Sequence, residues 1–311
     1  MTFHWHDTKD ELNFESETLT GTLVADCGEE TSNNRHHIKN LIHNPTGTRV
    51  TPEGGMMQGA GSFTLFRVLA RSSWLTELRA TRPSVERKED GAILIWEPTI
   101  KHQVKTTADF SIKDPNIIDI DISIEGYAYY PDYELLCSNY VSEQLSGGLF
   151  VRQNELSDEG GHEKILVTDN AAFHGMYNFF PRDEYAAHIM TDGRGQKGRW
   201  YWRLACGRRY ACPLGFATDG QVDVLFMGRP EDVYAVGATY AADAEHADGV
   251  ARHHALYLSL FGRDLHPGDG RRTQVRLVVD GFMNQEERLL GVYEAFLSDV
   301  ADVERTFEVK P

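Results

Sequence analysis

The segment from Ile117 to Val141, IIDIDISIEGYAYYPDYELLCSNYV, does most to limit what this chain can fold into. Ile118, Ile120, Ile122 and Ile124 alternate with Asp119, Asp121, Ser123 and Glu125. Side chains on a strand point to opposite faces with a period of two, so one face is isoleucine and the other is acidic and hydrated. The pattern predicts a half-buried antiparallel strand. Gly126 and Pro131 punctuate a tyrosine-rich turn. The following run, Tyr133 to Val141, is apolar without alternation, which predicts a strand covered on both faces. A strand with one wet side beside a strand with none predicts a layered β-structure.

The rest of the chain repeats this grammar. Strands are expected at Glu17–Ala25, His36–His43, Ser62–Ala70, Trp74–Arg79, Pro83–Arg87, Ala92–Glu97 and Lys101–Ile112 before the central segment. After it they are expected at Gly147–Arg152, Glu163–Thr168, Gln221–Met227, His254–Phe261 and Arg272–Asp280. Arg199–Gly207 and Arg209–Thr218 read as a hairpin around Cys206. Residues 1–16 read as an arm or short edge element, and residues 230–252, rich in alanine and acid, as helical. Near the C-terminus Asn284 and Glu287 have capping-box spacing, and Leu289, Tyr293, Phe296 and Val300 fall on one helical stripe. The strands lie too close together for βαβ crossovers. The expected fold is therefore mainly β: one large antiparallel β-sandwich over residues 1–311, super-sandwich-like, with a C-terminal helix at 284–302.

Composition narrows the function classes. A formal net charge of -16 repels phosphate backbones and anionic lipid, so neither nucleic acid nor a membrane surface is an expected partner. No run of 18 apolar residues exists to form a transmembrane helix. The start, MTFHWHDTKDELNF, has neither the basic region nor the apolar core of a signal peptide, which together with the cysteines suggests the cytoplasm; a chain whose leader had been removed would look the same. Cys27, Cys137, Cys206 and Cys212 match no zinc spacing. Cys206 and Cys212 can face each other across a hairpin, but free thiols are the expected state. His4 and His6 would share a face, whereas His36-His37 and His253-His254 are adjacent and point apart on a strand. The glycine-rich stretch at 53–61 lacks the lysine and context of a phosphate loop, and reads as a plain connection or a loop bordering a site. No nucleophile elbow or dinucleotide fingerprint occurs. No metal or cofactor is expected.

Three regions carry candidate chemistry. Arg199-Trp200-Tyr201-Trp202-Arg203 would place Trp200 and Trp202 on one strand face and both arginines on the other. Indoles stack on the C–H face of a sugar ring, and Arg203 suits a hydroxyl or carboxylate; packing in the core is the competing reading. His102 ends a core-facing row, and Trp96 lies at a strand end beside Pro98. The loop TDNAAFHGMYNFFPRDE gathers His174, Arg182 and their acidic neighbours, and His174 can act as a general acid or base near neutrality. In the doubly covered strand, Tyr133 and Glu134 would point into packed surroundings. A buried Glu134 requires a partner, for which Arg79 and Arg182 are candidates, and such a carboxylate has the character of a general base.

Strand density, chain length and the placement of histidine, arginine and tryptophan on strands resemble the galactose-mutarotase-like β-sandwich class. The resemblance implies a carbohydrate ligand. In the epimerases of that class a histidine acid works with a glutamate base at the ring oxygen and anomeric hydroxyl; by position, His102 and His174 are both candidates for the acid, and no signature marks which glutamate would be the base. The terminal helix departs from the simplest members. The expected function is acid–base chemistry on a sugar or sugar acid, as an epimerase, lyase or glycosidase. His174, His102 and Glu134 would be catalytic, and Arg79, Trp96, Tyr133, Arg182, Trp200, Trp202 and Arg203 would line a site for a small-molecule or oligosaccharide ligand. The alternative is a non-catalytic carbohydrate-binding or assembly module.

Overall fold

A computed structural model of the chain describes residues 1–28, 35–52, 61–70, 73–75, 77–154, 161–169, 173, 177–186, 202–204, 208–241, 253–282, 285–301 and 306–308. Five strands open the chain and form one sheet in sequence order: β1 (Thr2–Trp5), β2 (Asp10–Glu15), β3 (Leu19–Asp26), β4 (His37–His43) and β5 (Thr48–Arg49). There follow β6 (Thr64–Ala70), β7 (Ser73–Leu75), the helical turn α1 (Glu77–Ala80), β8 (Ser84–Arg87), β9 (Gly91–Trp96), β10 (Val104–Lys113), β11 (Ile117–Gly126) and β12 (Tyr130–Tyr140). Next come β13 (Ser146–Arg152), β14 (His162–Leu166), β15 (Tyr177–Pro181), β16 (Trp202–Leu204), β17 (Tyr210–Thr218), β18 (Asp223–Gly228), β19 (Val233–Ala241), β20 (His253–Leu265) and β21 (Asp269–Asp280). Helix α2 (Glu286–Asp299) and β22 (Thr306–Glu308) end the described chain.

Two large sheets make the sandwich. One runs β14-β13-β17-β18-β21-β11-β10-β9-β8, with β22 added on β21; the other runs β16-β15-β19-β20-β12-β6-β7. Nearly every described pairing is antiparallel, and β15 with β16 is a parallel exception. The isoleucine row behaves as its alternation requires. Ile118, Ile120, Ile122 and Ile124 are buried and share one core with Leu135 and Cys137 of β12 and Leu256, Leu258 and Leu260 of β20. β12 is covered on both faces, since every residue from Asp132 to Tyr140 is buried.

The outer face of β11 is less wet than its sequence implies. Asp119 is buried and held by Arg276, whose Nε and Nη2 lie 2.7 and 2.9 Å from the carboxylate oxygens. Arg276 also donates to Asp299 at the end of α2, 2.6 Å away. The cause is α2 itself, which lays Leu289, Tyr293, Phe296 and Val300 on Phe216, Leu225 and Val278 and makes a second apolar cluster on that side. The predicted stripe is thus the docking face. The predicted cap differs: Asn284 lies outside the described residues, and the N-cap is Gln285, without a side-chain capping bond.

Local structure departs from expectation elsewhere. The Trp74–Arg79 region divides into β7 and the turn α1, because Arg79 stacks its guanidinium over Phe66, 4.4 Å from the ring centre, instead of extending along the sheet. β16 and β17 are not a hairpin; they belong to different sheets. Residues Val233–Ala241, expected to be helical, form β19, since Val233, Val236 and Ala238 are needed for the inter-sheet core. Residues 1–15 are two strands, with Leu12 and Phe14 buried in that core. Cys27, Cys137 and Cys212 are free thiols, and Cys206 lies outside the described residues. So does the glycine-rich stretch at 53–60.

Among the described residues, removing Arg276 would leave buried Asp119 with only half-exposed Lys113 and a 3.4 Å bond from Gln274. Arg276→Met is expected to lower the free energy of unfolding in urea by about 3–5 kcal/mol. Lys113→Met, which removes the half-exposed partner of the same carboxylate, should cost no more than about 1 kcal/mol. Equal small effects of the two substitutions would show that Arg276 does not hold the helix to the sheet.

Candidate functional site

Alternation along β12 sends Leu135 and Cys137 into the inter-sheet core and Glu134, Leu136, Ser138 and Tyr140 to the opposite side of the seven-stranded sheet. Neighbouring strands add Tyr257 and Ser259 from β20 and Phe179 from β15 to that side. A bulge in β6 between the partners of Leu136 and Cys137 leaves Phe66 as an extra residue, so that Phe66 joins the outer cluster while Leu65 stays in the core. Bulges re-aim side chains in this way, and they are common beside functional sites.

Glu134 is the chemical centre of this face. Its side chain is fully buried, and Ser259 donates its hydroxyl to Oε2. A carboxylate out of water is costly unless hydrogen-bonded, so the serine is part of the reason the group is tolerated there. Around it, Tyr257 donates to the Tyr140 hydroxyl at 3.2 Å, and the Phe66 ring lies 6.1 Å from Tyr140 and 5.9 Å from Tyr257. The guanidinium groups of Arg67 and Arg79 sit 4.8 and 4.4 Å from the centre of the Phe66 ring. Arg67 pairs directly with Leu136, two residues from Glu134 on the same face. The face therefore combines a dry carboxylate, two cations held against an aromatic ring and a pair of linked phenols.

His102 occupies a different place. Its Nε2 lies 3.1 Å from the Tyr133 hydroxyl, and the two rings stack with centroids 6.0 Å apart. Tyr133 belongs to the inter-sheet core, so His102 and Glu134 lie on opposite sides of β12. Burial lowers the His102 pKa to about 4, which makes the ring neutral near pH 7 and unsuited to donating a proton as an imidazolium. Trp96 is also core: its indole donates to the Thr81 carbonyl at 3.1 Å, and its ring meets His36 edge-on at 4.9 Å. His36 accepts from the backbone N–H of Leu65 at 2.9 Å, and burial takes its pKa down to about 3. Arg182 is bound to Asp183 at 2.7 Å and to the Glu231 carbonyl at 3.1 Å, and covers the Tyr234 ring. It is occupied at the sheet margin.

His174 and Trp200 lie outside the described residues, as do the side chains of Trp202 and Arg203. The backbone of β16 nevertheless sits in the same sheet as Glu134. Trp202 is level with Tyr177, Thr239, Ala255 and Tyr140 in successive strands. Sequence reasoning missed Ser259, Arg67, Tyr140 and Tyr257. Ser259 had a signal, a small polar residue in the run Leu256-Tyr257-Leu258-Ser259-Leu260, whereas Arg67 depends on a bulge that no local pattern announces. Among the described residues no three His, Cys, Asp or Glu side chains are grouped as metal ligands would be, and no helix is long and apolar enough to cross a membrane.

His36 and His102, the buried histidines whose pKa values are lowered most, give a pH dependence with a definite sign. Both are neutral in the folded protein but take a proton near the ordinary value of 6.5 once unfolded. Their stabilising contribution is complete above pH 6.5 and is lost as pH falls to about 4 for His102 and about 3 for His36, His102 alone accounting for roughly 3 kcal/mol. Urea unfolding across that range should show stability falling with acidification. His102→Gln should flatten the fall, and an unchanged pH slope in that variant would contradict the assignment.

No protein-family profile matches the chain, and no curated protein matches it in sequence. Solved structures match it in fold. The galactose 1-epimerase from Lactobacillus acidophilus NCFM is 8% identical over 90% of this chain and 98% of that one, with a TM-score of 0.46. A GalM/aldose epimerase homologue from C. elegans is 9% identical over 86% of this chain and 98% of that one, also at 0.46. The galactosidase domain of the alpha-galactosidase-sucrose kinase AgaSK is 10% identical at a TM-score of 0.45, and the match spans 90% of this chain but 42% of that one. The likeness to the two epimerase structures is a coarse one, at 8 and 9% identity.

Proposed function

We propose that this chain is a carbohydrate-active enzyme whose proton-transferring carboxylate is Glu134, working on the outer face of the seven-stranded sheet. The observation that carries the reading is a fully buried carboxylate bonded to Ser259 on the face that also carries Phe66, Tyr140 and Tyr257. Buried carboxylates with a hydrogen-bonded hydroxyl are the kind of group that general acid–base catalysis uses. Aromatic rings fit the C–H face of a pyranose, and Arg67 and Arg79, steered by Phe66, suit hydroxyls or a substrate carboxylate. Arg79 keeps its expected binding role. Tyr133 and His102 act as structural support behind Glu134, and Trp96 as core.

The partner acid in this reading is His174, three residues before β15 of the same sheet, and Trp200, Trp202 and Arg203 supply further binding surface around β16. Arg182 contributes by ordering the margin through Asp183. The reaction class is proton transfer at a sugar carbon or anomeric oxygen, which covers epimerisation, elimination and glycoside hydrolysis. The second reading is a module that binds carbohydrate without transforming it.

The test compares wild type with Glu134→Gln on reducing sugars by polarimetry, on aryl glycosides by chromophore release and on uronate oligosaccharides by ultraviolet absorbance. Loss of general acid–base action should lower kcat by about 10²–10⁴-fold with little change in KM. Full activity in a folded Glu134→Gln protein would overturn the role of Glu134. Thermal stabilisation by a sugar that neither protein turns over would favour the binding module.

A further inference from the structure

Among the described residues, four large hydrophobic side chains are strongly exposed: Ile100, Tyr127, Tyr129 and Tyr185, at 96, 48, 53 and 56%. All four belong to one end of the sandwich. Ile100 is in the β9–β10 connection, and Tyr127 and Tyr129 are in the β11–β12 turn, which the Tyr127 N–H joins to the Gln103 carbonyl at 3.0 Å. The β20–β21 turn joins them through Gly268 N–H to the Gly126 carbonyl, 2.9 Å away. Tyr185 reaches the start of β12 from beyond β15. Exposed apolar groups scattered singly need no explanation, but a cluster at one end does.

The three exposed tyrosines share one chemical arrangement. Tyr127 donates its phenol to Glu125 at 3.2 Å, Tyr129 to Asp264 at 3.0 Å and Tyr185 to Asp132 at 2.9 Å. Asp132 and Asp264 are themselves linked, since the Asp132 N–H donates to Asp264 at 3.0 Å. Tyr129 and Tyr185 are thus anchored to one polar bridge. The backbone holds Asp132 at φ 52°, a left-handed conformation that aspartate tolerates better than most residues. Tyr129 is further steadied by His266, stacked at 4.9 Å. Each ring is a pinned plate with a carboxylate at its edge.

We propose that this end of the sandwich is a binding platform for a neutral oligosaccharide, separate from the Glu134 face. Pinned phenols offer flat apolar faces to sugar C–H groups without an ordering cost on binding. Glu125 and Asp264, which stay at least partly open to water beside the rings, accept sugar hydroxyls in charge-assisted hydrogen bonds, while buried Asp132 holds Tyr185 in place. Glu125 and Asp264 disfavour an apolar protein patch, which would remove their remaining water without supplying further donors, and they repel acidic glycans, as does the net charge of -16.

The experiment is affinity electrophoresis and calorimetry of the full chain with neutral oligosaccharides, acidic oligosaccharides and a lysine-rich peptide. Neutral oligosaccharides should bind, and Tyr129→Ala with Tyr185→Ala should weaken binding by about tenfold or more. Tyr129→Phe, which keeps the ring, should retain most of the affinity, and Glu134→Gln should bind the platform ligand as wild type does. Tyr185 also donates to buried Asp132, so the stability-neutral control is Tyr129→Ala, whose partner Asp264 is exposed and whose unfolding midpoint should change little. Failure to bind any neutral glycan, binding untouched by the double alanine variant, or preferential salt-sensitive capture of the basic peptide would each overturn the proposal.

Discussion

Strand β12 lies between β6 and β20 with side chains buried on both faces, and the chemistry of the seven-stranded sheet follows from that placement. One face must be apolar to close the sandwich, and Leu135 and Cys137 meet that demand alongside the β20 leucines. The other face is equally dry but contains Glu134. In a dry setting a carboxylate must find hydrogen bonds, and its proton affinity becomes sensitive to each neighbour. Ser259, which donates to Glu134, is therefore more than packing.

A related logic governs the far side of the ten-stranded sheet. Its strands place Asp119 outward, where water would ordinarily solvate it. Helix α2 covers part of that surface with an apolar stripe, and Arg276 then binds Asp119 and Asp299 together, with its guanidinium 5.2 Å from the centre of the Phe296 ring. Arg229 adds a bond to the Val300 carbonyl at the helix end. The ion pair makes the helix specific for its seat, because a shifted helix would leave charges buried without partners.

The tyrosine-rich turn shows how the same residue type takes two roles within a few positions. Tyr133 faces the core and stacks with His102 at full burial, whereas Tyr127 and Tyr129 project from the turn with their hydroxyls tied to acids. Tyr130 stands between them, and its hydroxyl accepts the Gln103 N–H at 2.9 Å. The buried group stiffens the sandwich end from which the exposed rings are presented.

Alternation and its absence were enough to read the isoleucine strand, the doubly covered strand, the stripe of α2 and the antiparallel sandwich, because those features depend on residues two to four positions apart. The local code failed where distant partners set the outcome. Val233–Ala241 is a strand because the core between two sheets requires its apolar residues, and Trp74–Arg79 breaks because Arg79 finds Phe66. The site divides in the same way. That Glu134 would be buried was legible in its apolar run, but its bond to Ser259, 125 positions away, and the separation of His102 onto the opposite side of β12 were decided by strand order and by a bulge in β6. Sequence specifies which face a side chain takes on its own strand; only the packing of strands far apart in the chain determines which groups share that face.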